Sequence, residues 1–399
     1  MKQNNIIIGI RNMASLDHIY PIIPILIESG FNVKTIITDV RFFLQKSTRN
    51  VKIDNYFTEK YTRKLKIIYS MLKFCRSLLD CCHIVLLQSL IYRSIGVLYN
   101  KILIRNTIEI IKDQKVILII IDHANNDFLK VIAHGKSVNN YRIIAFPHGM
   151  NFFRNVLLNR DEVDIIKKET SNHFLNGLDT VIVNHMNHKN YFMKTGVCEQ
   201  KIRILPSIRF NKYNLEFKDL QTKSNNKGLK VLFIVPKSVS NIFEHELKTT
   251  IDLLKSIFGK DLFLQFHPTV IRNNKRSSGL YNTNDLINNS HLVLFVDSSV
   301  VVQAIVQKKA CILLNHLHNN DQEFADLDIM DITNTRDDFI NTIKTFYKDP
   351  TRYLIDYQKK YSKNIDLFIT NNQLNWTMSD IKKEYLEKLA LNTSDNIYS

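Results

Sequence analysis

Short, nearly unbroken runs of Ile, Val, Leu and Phe recur along the chain. Between them lie longer stretches in which apolar residues return every three or four positions. Runs this short and rich in β-branched residues read as strands buried on both faces, and the periodic stretches between them as helices. The alternation predicts parallel α/β sheets. In the first half the strands are NIIIGI (5–10), VKTIIT (33–38), VILIII (116–121), RIIAF (142–146), TVIVN (180–184) and a shorter IRIL (202–205). A long helical insertion, roughly 59–112, separates the second from the third. The second half repeats the pattern with KVLFIV (230–235), LFLQF (262–266), LVLFV (292–296) and CILL (311–314), and with helices over 241–258 and 299–308.

A chain of 399 residues exceeds what one core usually holds, at about 150 residues per domain. The polar stretch NLEFKDLQTKSNNKG (214–228) ends in glycine immediately before the second series of strands, and reads as the linker. The expected organisation is an N-terminal Rossmann-like domain over 1–212, a linker over 213–228 and a C-terminal Rossmann-like domain over 229–390. Helical stretches from about 351, TRYLIDYQKKYSKNIDLF and DIKKEYLEKLAL, close the chain by packing back across the domains.

Ligands of open α/β sheets bind beyond the carboxyl ends of the strands. Four strand ends carry unusual residues. LFLQF runs into His267 and Pro268; proline stops the ladder, and Arg272, Lys275 and Arg276 follow. An imidazole beside cations suits an anionic oxygen, though a loop histidine with solvated basic neighbours has the same appearance. LVLFV runs into Asp297-Ser298-Ser299 and then a helix, which is either an anion site or an ordinary N-cap. Because the two motifs fall on the same edge of one sheet, together they outline a pocket for a nucleotide mono- or diphosphate. RIIAF runs into Pro147-His148-Gly149, with Arg154 beyond; His148 is a candidate general base, phosphate ligand or turn residue, and Arg154 an anion clamp. VILIII runs into Asp122-His123, where the carboxylate is a base, a nucleophile or a helix cap.

Charge sharpens this picture. Residues 1–210 hold 30 Lys and Arg against 16 Asp and Glu, nearly all of the formal net charge of +16. Such asymmetry points to an anionic partner for the first domain: nucleic acid, a membrane surface or an acidic substrate. Within it, Lys60, Arg63, Lys64, Lys66, Lys73 and Arg76 interleave with Leu65, Ile67, Ile68, Met71 and Leu72. That spacing gives one basic and one apolar helical face, for an anionic lipid or as a solvated face over core, and Lys64 joins Arg154 as a candidate acceptor clamp. The segment 83–104 is interrupted by Gln88, Arg93 and Lys101 and reads as a helix buried in protein. Five cysteines without metal-ligand spacing and no signal-peptide pattern fit a reducing cytoplasm. His185 with His188, and His316 with His318, lack the carboxylate or cysteine shell of a metal site. Neither a Walker motif nor G-x-G-x-x-G occurs.

With these motifs, the chain resembles GT-B glycosyltransferases. More narrowly, it is similar to bacterial enzymes that build surface polysaccharides from cytidine-activated donors, whose C-terminal domains share a His-Pro and a downstream Ser-Ser motif. His267-Pro268 and Ser298-Ser299 match these residue for residue. FPHGMNFFRN resembles a Pro/Trp-His-Gly segment of the polyol-phosphate enzymes, and IRILPSIRFNKYN (202–214) the domain-junction loop of some Kdo transferases. A lysine that often precedes His-Pro in these families is replaced here by Gln265.

The resemblance implies two Rossmann-like domains facing a cleft and transfer of an acidic sugar, Kdo from CMP-Kdo, to a capsule, O-antigen or related glycan. His267, Pro268, Arg272, Asp297, Ser298 and Ser299 would hold the donor nucleotide. His148 and Asp122 would be catalytic, with Glu244 and Glu246 as rival carboxylates. No metal or resident cofactor is expected. The implied partners are a nucleotide-sugar donor, a glycan or glycolipid acceptor and an anionic membrane surface, with no nucleic acid. The enzyme would be cytoplasmic, peripheral at the inner face of the bacterial plasma membrane. Alternatives within the fold are a CDP-polyol phosphotransferase, a polysialyltransferase-type enzyme and a sugar-nucleotide epimerase; outside it, a nucleic-acid-binding protein.

Overall fold

A computed structural model describes residues 4–11, 18–38, 70–71, 85–113, 115–123, 132, 136, 140–147, 173–211, 229–236, 242–266 and 283–389. The first sheet contains β1 (Asn5–Ile10), β2 (Asn32–Ile37), β3 (Val116–Asp122), β4 (Arg142–Phe146), β5 (Thr180–Val183) and β6 (Ile202–Ile204). Its order is β2-β1-β3-β4-β5-β6, parallel throughout. The second contains β7 (Val231–Val235), β8 (Leu262–Phe266), β9 (Leu292–Phe295), β10 (Ala310–Leu313) and β11 (Asp331–Ile332), in the parallel order β11-β10-β9-β7-β8.

Period-two alternation explains why these strands are apolar without a break. In β3, Ile119 and Ile121 enter one core while Leu118 and Ile120 enter another, on the opposite face. A central strand such as β3 is covered on both faces, so its positions call for apolar side chains. The first core is closed by α2 (Val85–Asp113), following α1 (Ile22–Glu28) in the chain. Tyr99, Ile102, Leu103, Ile110 and Ile111 form its buried stripe. Val97, Leu98 and Lys101 face outward, so over this part only one face of the helix is covered. No described helix is long and apolar enough to cross a membrane.

The other face of the first sheet is covered by α1 and by the end of the chain. Further helices are α3 (Met186–Lys194), α4 (Glu244–Phe258), α5 (Thr283–Asn288), α6 (Val301–Val306), α7 (Arg336–Lys348), α8 (Pro350–Asn371) and α9 (Met378–Lys388). The second core gathers β7 to β10 with α4, α7 and α8. Local signals start the last three helices: Thr335 and Asp338 form a capping box for α7, Asp349 caps α8 with Pro350 in its first turn, and Thr377 and Asp380 box α9. After α8 the chain returns to the first sheet, where Ile381, Tyr385 and Leu389 pack beside Ile22, Ile25 and Leu26. This is the expected crossing back. The expected linker, 213–228, lies outside the described residues.

Two elements differ from the sequence reading. The strand β11 is too short, at two residues, to show a period. The helix expected over 299–308 is reduced to the six residues of α6, because residues 298–300 are spent on the turn that starts it.

Candidate functional site

Each sheet reverses its strand order once, between β1 and β3 and between β7 and β9. Connections leave on opposite faces at such a point, opening a crevice beyond the carboxyl ends. The two carboxyl edges meet: His185, two residues past β5, has its Nδ1 3.8 Å from Oε2 of Glu323, in the segment after β10.

On the C-terminal edge, Asp297, Ser298, Ser299 and Val300 follow β9 and are all half-buried. The Val300 N–H donates to Ser298 Oγ at 3.4 Å, Val301 N–H to the Ser298 carbonyl at 3.1 Å and Val302 N–H to the Ser299 carbonyl at 3.2 Å. Among the described residues, the N–H groups of Ser298 and Ser299 and the Ser299 hydroxyl donate to no protein group. With α6 under two turns long, those free donors are what the turn presents to an anion. The Ser298 hydroxyl accepts within the turn, which leaves its O–H free to donate. Strand β8 ends at Phe266, directly before His267, and lies on the far side of β7 from β9. The ends of β8 and β9 therefore flank β7, about 10 Å apart at the usual strand spacing. His267, Pro268 and Arg272 themselves lie outside the described residues, as do His148, Arg154 and Lys64.

On the N-terminal edge, Asp122 ends β3 and is fully buried, paired in the ladder with Phe146. Its neighbour His123 enters an aromatic cluster: its ring lies 4.7 Å from Phe192 and 5.9 Å from His188, and His188 lies 5.9 Å from His185. Burial pushes the His188 pKa well below the usual imidazole range, helped by His123 and then His185. Its Nδ1 has no hydrogen-bond partner among the described residues. No described group of His, Cys, Asp and Glu has a metal-holding arrangement.

Sequence reasoning did not anticipate this cluster, but a signal for it exists. The ends of β3 and β5 read IIDH and IVNH, so two strands of one sheet each place a histidine just past the edge, and His188 follows three residues after the second. By contrast, His316 and His318 fasten a loop. His316 Nδ1 lies 3.1 Å from Thr333 Oγ1, and His318 Nδ1 accepts from the Asn320 N–H at 2.9 Å. Burial, and then the neighbouring His316, bring the His318 pKa down to about 4. Of the rival carboxylates, Glu244 is exposed on the first turn of α4, and Glu246 lies 3.9 Å from Arg336.

Two facing parallel sheets, switch points opening on one cleft and a last helix crossing back define the architecture, and solved structures match it. The UDP-GlcNAc 2-epimerase of Neisseria meningitidis, bound to UDP-GlcNAc, has a TM-score of 0.54 at 10% identity over 97% of this chain and 100% of its own. The wall teichoic acid polymerase TagF, soaked with CDPG, has a TM-score of 0.53 at 11% identity, over 100% and 91%. The chain has the GT-B fold. A further UDP-N-acetylglucosamine 2-epimerase has a TM-score of 0.50 at 12% identity, over 98% and 96%. At these identities the likeness is one of GT-B architecture alone. No protein-family model and no curated protein matches the chain.

Proposed function

We propose that this GT-B chain is a glycosyltransferase of bacterial surface-glycan synthesis, transferring an acidic sugar, Kdo, from its CMP ester. The observation that carries the reading is the Ser298-Ser299 turn. It offers unengaged donors at the carboxyl end of β9, beside the switch point, while β8, on the other side of β7, ends one residue before His267 in the sequence. A phosphate above β7 is about 5 Å from each neighbouring strand, within reach of His267 on one side and Ser299 on the other. Arg272 adds positive charge.

In this mechanism the leaving group is the CMP phosphate. Hydrogen bonds and positive charge aimed at it stabilise the transition state, so these residues require no metal. His148, past β4 on the opposite edge, accepts the acceptor's proton. The basic first domain, with Arg154 and Lys64, holds the acceptor near an anionic membrane surface.

An epimerase is the second reading, favoured by the comparable TM-scores of the epimerase and of TagF. A thermal-shift screen of CMP, CDP, UMP, UDP and GDP separates the two. Stabilisation by CMP is expected; stabilisation by UDP alone would overturn the cytidine assignment and favour the epimerase.

A further inference from the structure

A cavity of about 580 Å³ lies between the two halves of the chain, where their carboxyl edges meet. Asn184, His185 and Ile204 at the ends of β5 and β6 form one wall. Glu323 and Leu327, between β10 and β11, and the end of α8 form the other. Its volume falls within the range of about 300–1,000 Å³ usual for small-molecule sites.

The chemistry of the lining is unlike that of the chain as a whole. Five carboxamides reach it, from Asn184, Asn364, Asn371, Asn372 and Gln373, with one imidazole and one carboxylate. Among the described residues no Lys or Arg lines it, although the chain carries a net charge of +16. An anion would meet the Glu323 carboxylate and, among the described lining residues, no Lys or Arg. Carboxamides both donate and accept, as paired sugar hydroxyls do, and a carboxylate accepts from two hydroxyls at once. Met186, Leu327 and Phe368 supply an apolar wall for the C–H face of a sugar ring.

Two details indicate a site awaiting a ligand. Asn184 is only 3% exposed, and its Nδ2 donates to the Leu205 carbonyl at 3.2 Å, which fixes the amide. Its Oδ1 has no hydrogen-bond partner among the described residues, and buried acceptors are seldom left so. Gln373, just past the end of α8, holds φ at +56°, where helices usually end in glycine. A side chain is nevertheless kept there, on the cavity wall.

We propose that this cavity is a subsite for a neutral carbohydrate, a non-acidic part of the acceptor glycan; the proposal rests on the glycosyltransferase reading above. Because both halves contribute walls, an occupant binds in the closed arrangement of the cleft.

The test uses the full chain with N,N′-diacetylchitobiose and lactose as neutral probes, sialic acid as an acidic one, and CMP, all by ligand-observed NMR and calorimetry. At least one neutral disaccharide should bind in the millimolar range, with or without saturating CMP, and sialic acid should not. Asn371→Ala and Glu323→Gln, both at accessible positions, should each weaken the disaccharide about tenfold, as expected for loss of one strong hydrogen bond, and leave CMP affinity unchanged. Absence of disaccharide binding, binding unaltered in both variants, or equal binding of sialic acid would overturn the proposal. CMP binding with any of those results leaves the glycosyltransferase reading standing. Variant-sensitive disaccharide binding without CMP binding would instead remove that reading and keep the carbohydrate site.

Discussion

The Tyr385 hydroxyl, on the last helix, donates to the carbonyl of Pro206, 179 residues earlier, at 2.7 Å. This bond pins α9 to the segment that leaves β6. It is fully buried, and Arg142 reinforces it by donating to the Leu389 carbonyl at 2.7 Å. Burial pushes the Tyr385 pKa up, so the hydroxyl keeps its proton and its donor role across the physiological range. Tyr385→Phe should destabilise the chain by about 1–2 kcal/mol, the cost of a buried acceptor losing its donor. Ile381→Ala, which leaves a cavity on the same face, should cost about 2–5 kcal/mol. Urea denaturation reads both. An unchanged midpoint in Ile381→Ala would mean that α9 contributes nothing to the core it shares with α1.

Acid should weaken the fold through its buried imidazoles. His188 resists protonation because it is buried and faces His123 and His185. His318, His316 and His291 are lowered too, each chiefly by burial. Below about pH 6.5 the unfolded chain takes up protons that the folded chain refuses, so stability is complete above that pH and falls as pH drops. Each such group can contribute up to about 1.4 kcal/mol per pH unit. The melting temperature should therefore fall between pH 7.5 and 5.5. His188→Gln should make the decline shallower, and an equally steep decline would assign it to other groups.

Much of the fold was legible because a strand of a doubly covered parallel sheet leaves a plain mark. The runs at 5–10, 142–146 and 262–266 coincide with β1, β4 and β8 to the residue. The mark fails where the pattern is too short, as at Asp331–Ile332. It also fails where turn chemistry competes with helix, as at Ser298, whose hydroxyl takes the Val300 N–H. At the site, sequence put Asp297, Ser298 and Ser299 at a strand end. Strand order is a non-local property, so the sequence could not show that β7 stands between β9 and β8, the strand that precedes His267. For the same reason His123 looks unrelated in sequence to the pair His185 and His188, though its strand end brings its ring 5.9 Å from that of His188.

That strand order shapes the expectation for the donor edge. His267→Ala should weaken CMP binding about ten- to a hundredfold, the loss of a charge-assisted hydrogen bond. Ser299→Ala is the better partner for a double variant, since Ser298→Ala would also disturb the turn. If one phosphate above β7 serves both residues, the double change should cost less than the two single changes combined. Strict additivity in calorimetric titration would place His267 and Ser299 on different parts of the nucleotide. Unaltered CMP affinity in His267→Ala would discard the site.

His148 follows β4, between the strand ends that carry His123 and His185. His123 and His185 are both buried and engaged with neighbouring rings or with Glu323. Asp122 is fully buried, and Glu244 is exposed on the first turn of α4. A general base must reach the acceptor's proton, and in the sequence His148 comes two residues after β4 ends at Phe146. The residue belongs to the half opposite the donor edge, so it should serve turnover rather than donor binding. His148→Ala should lower kcat at least ~100-fold, the lower range for general acid–base groups, with the CMP dissociation constant nearly unchanged. Steady-state rates with a CMP-sugar donor, beside calorimetry with CMP, separate the two effects. A matching loss of CMP affinity would make His148 a phosphate ligand. Normal turnover would make it a turn residue and return the search for the base to Asp122, which would first have to become accessible.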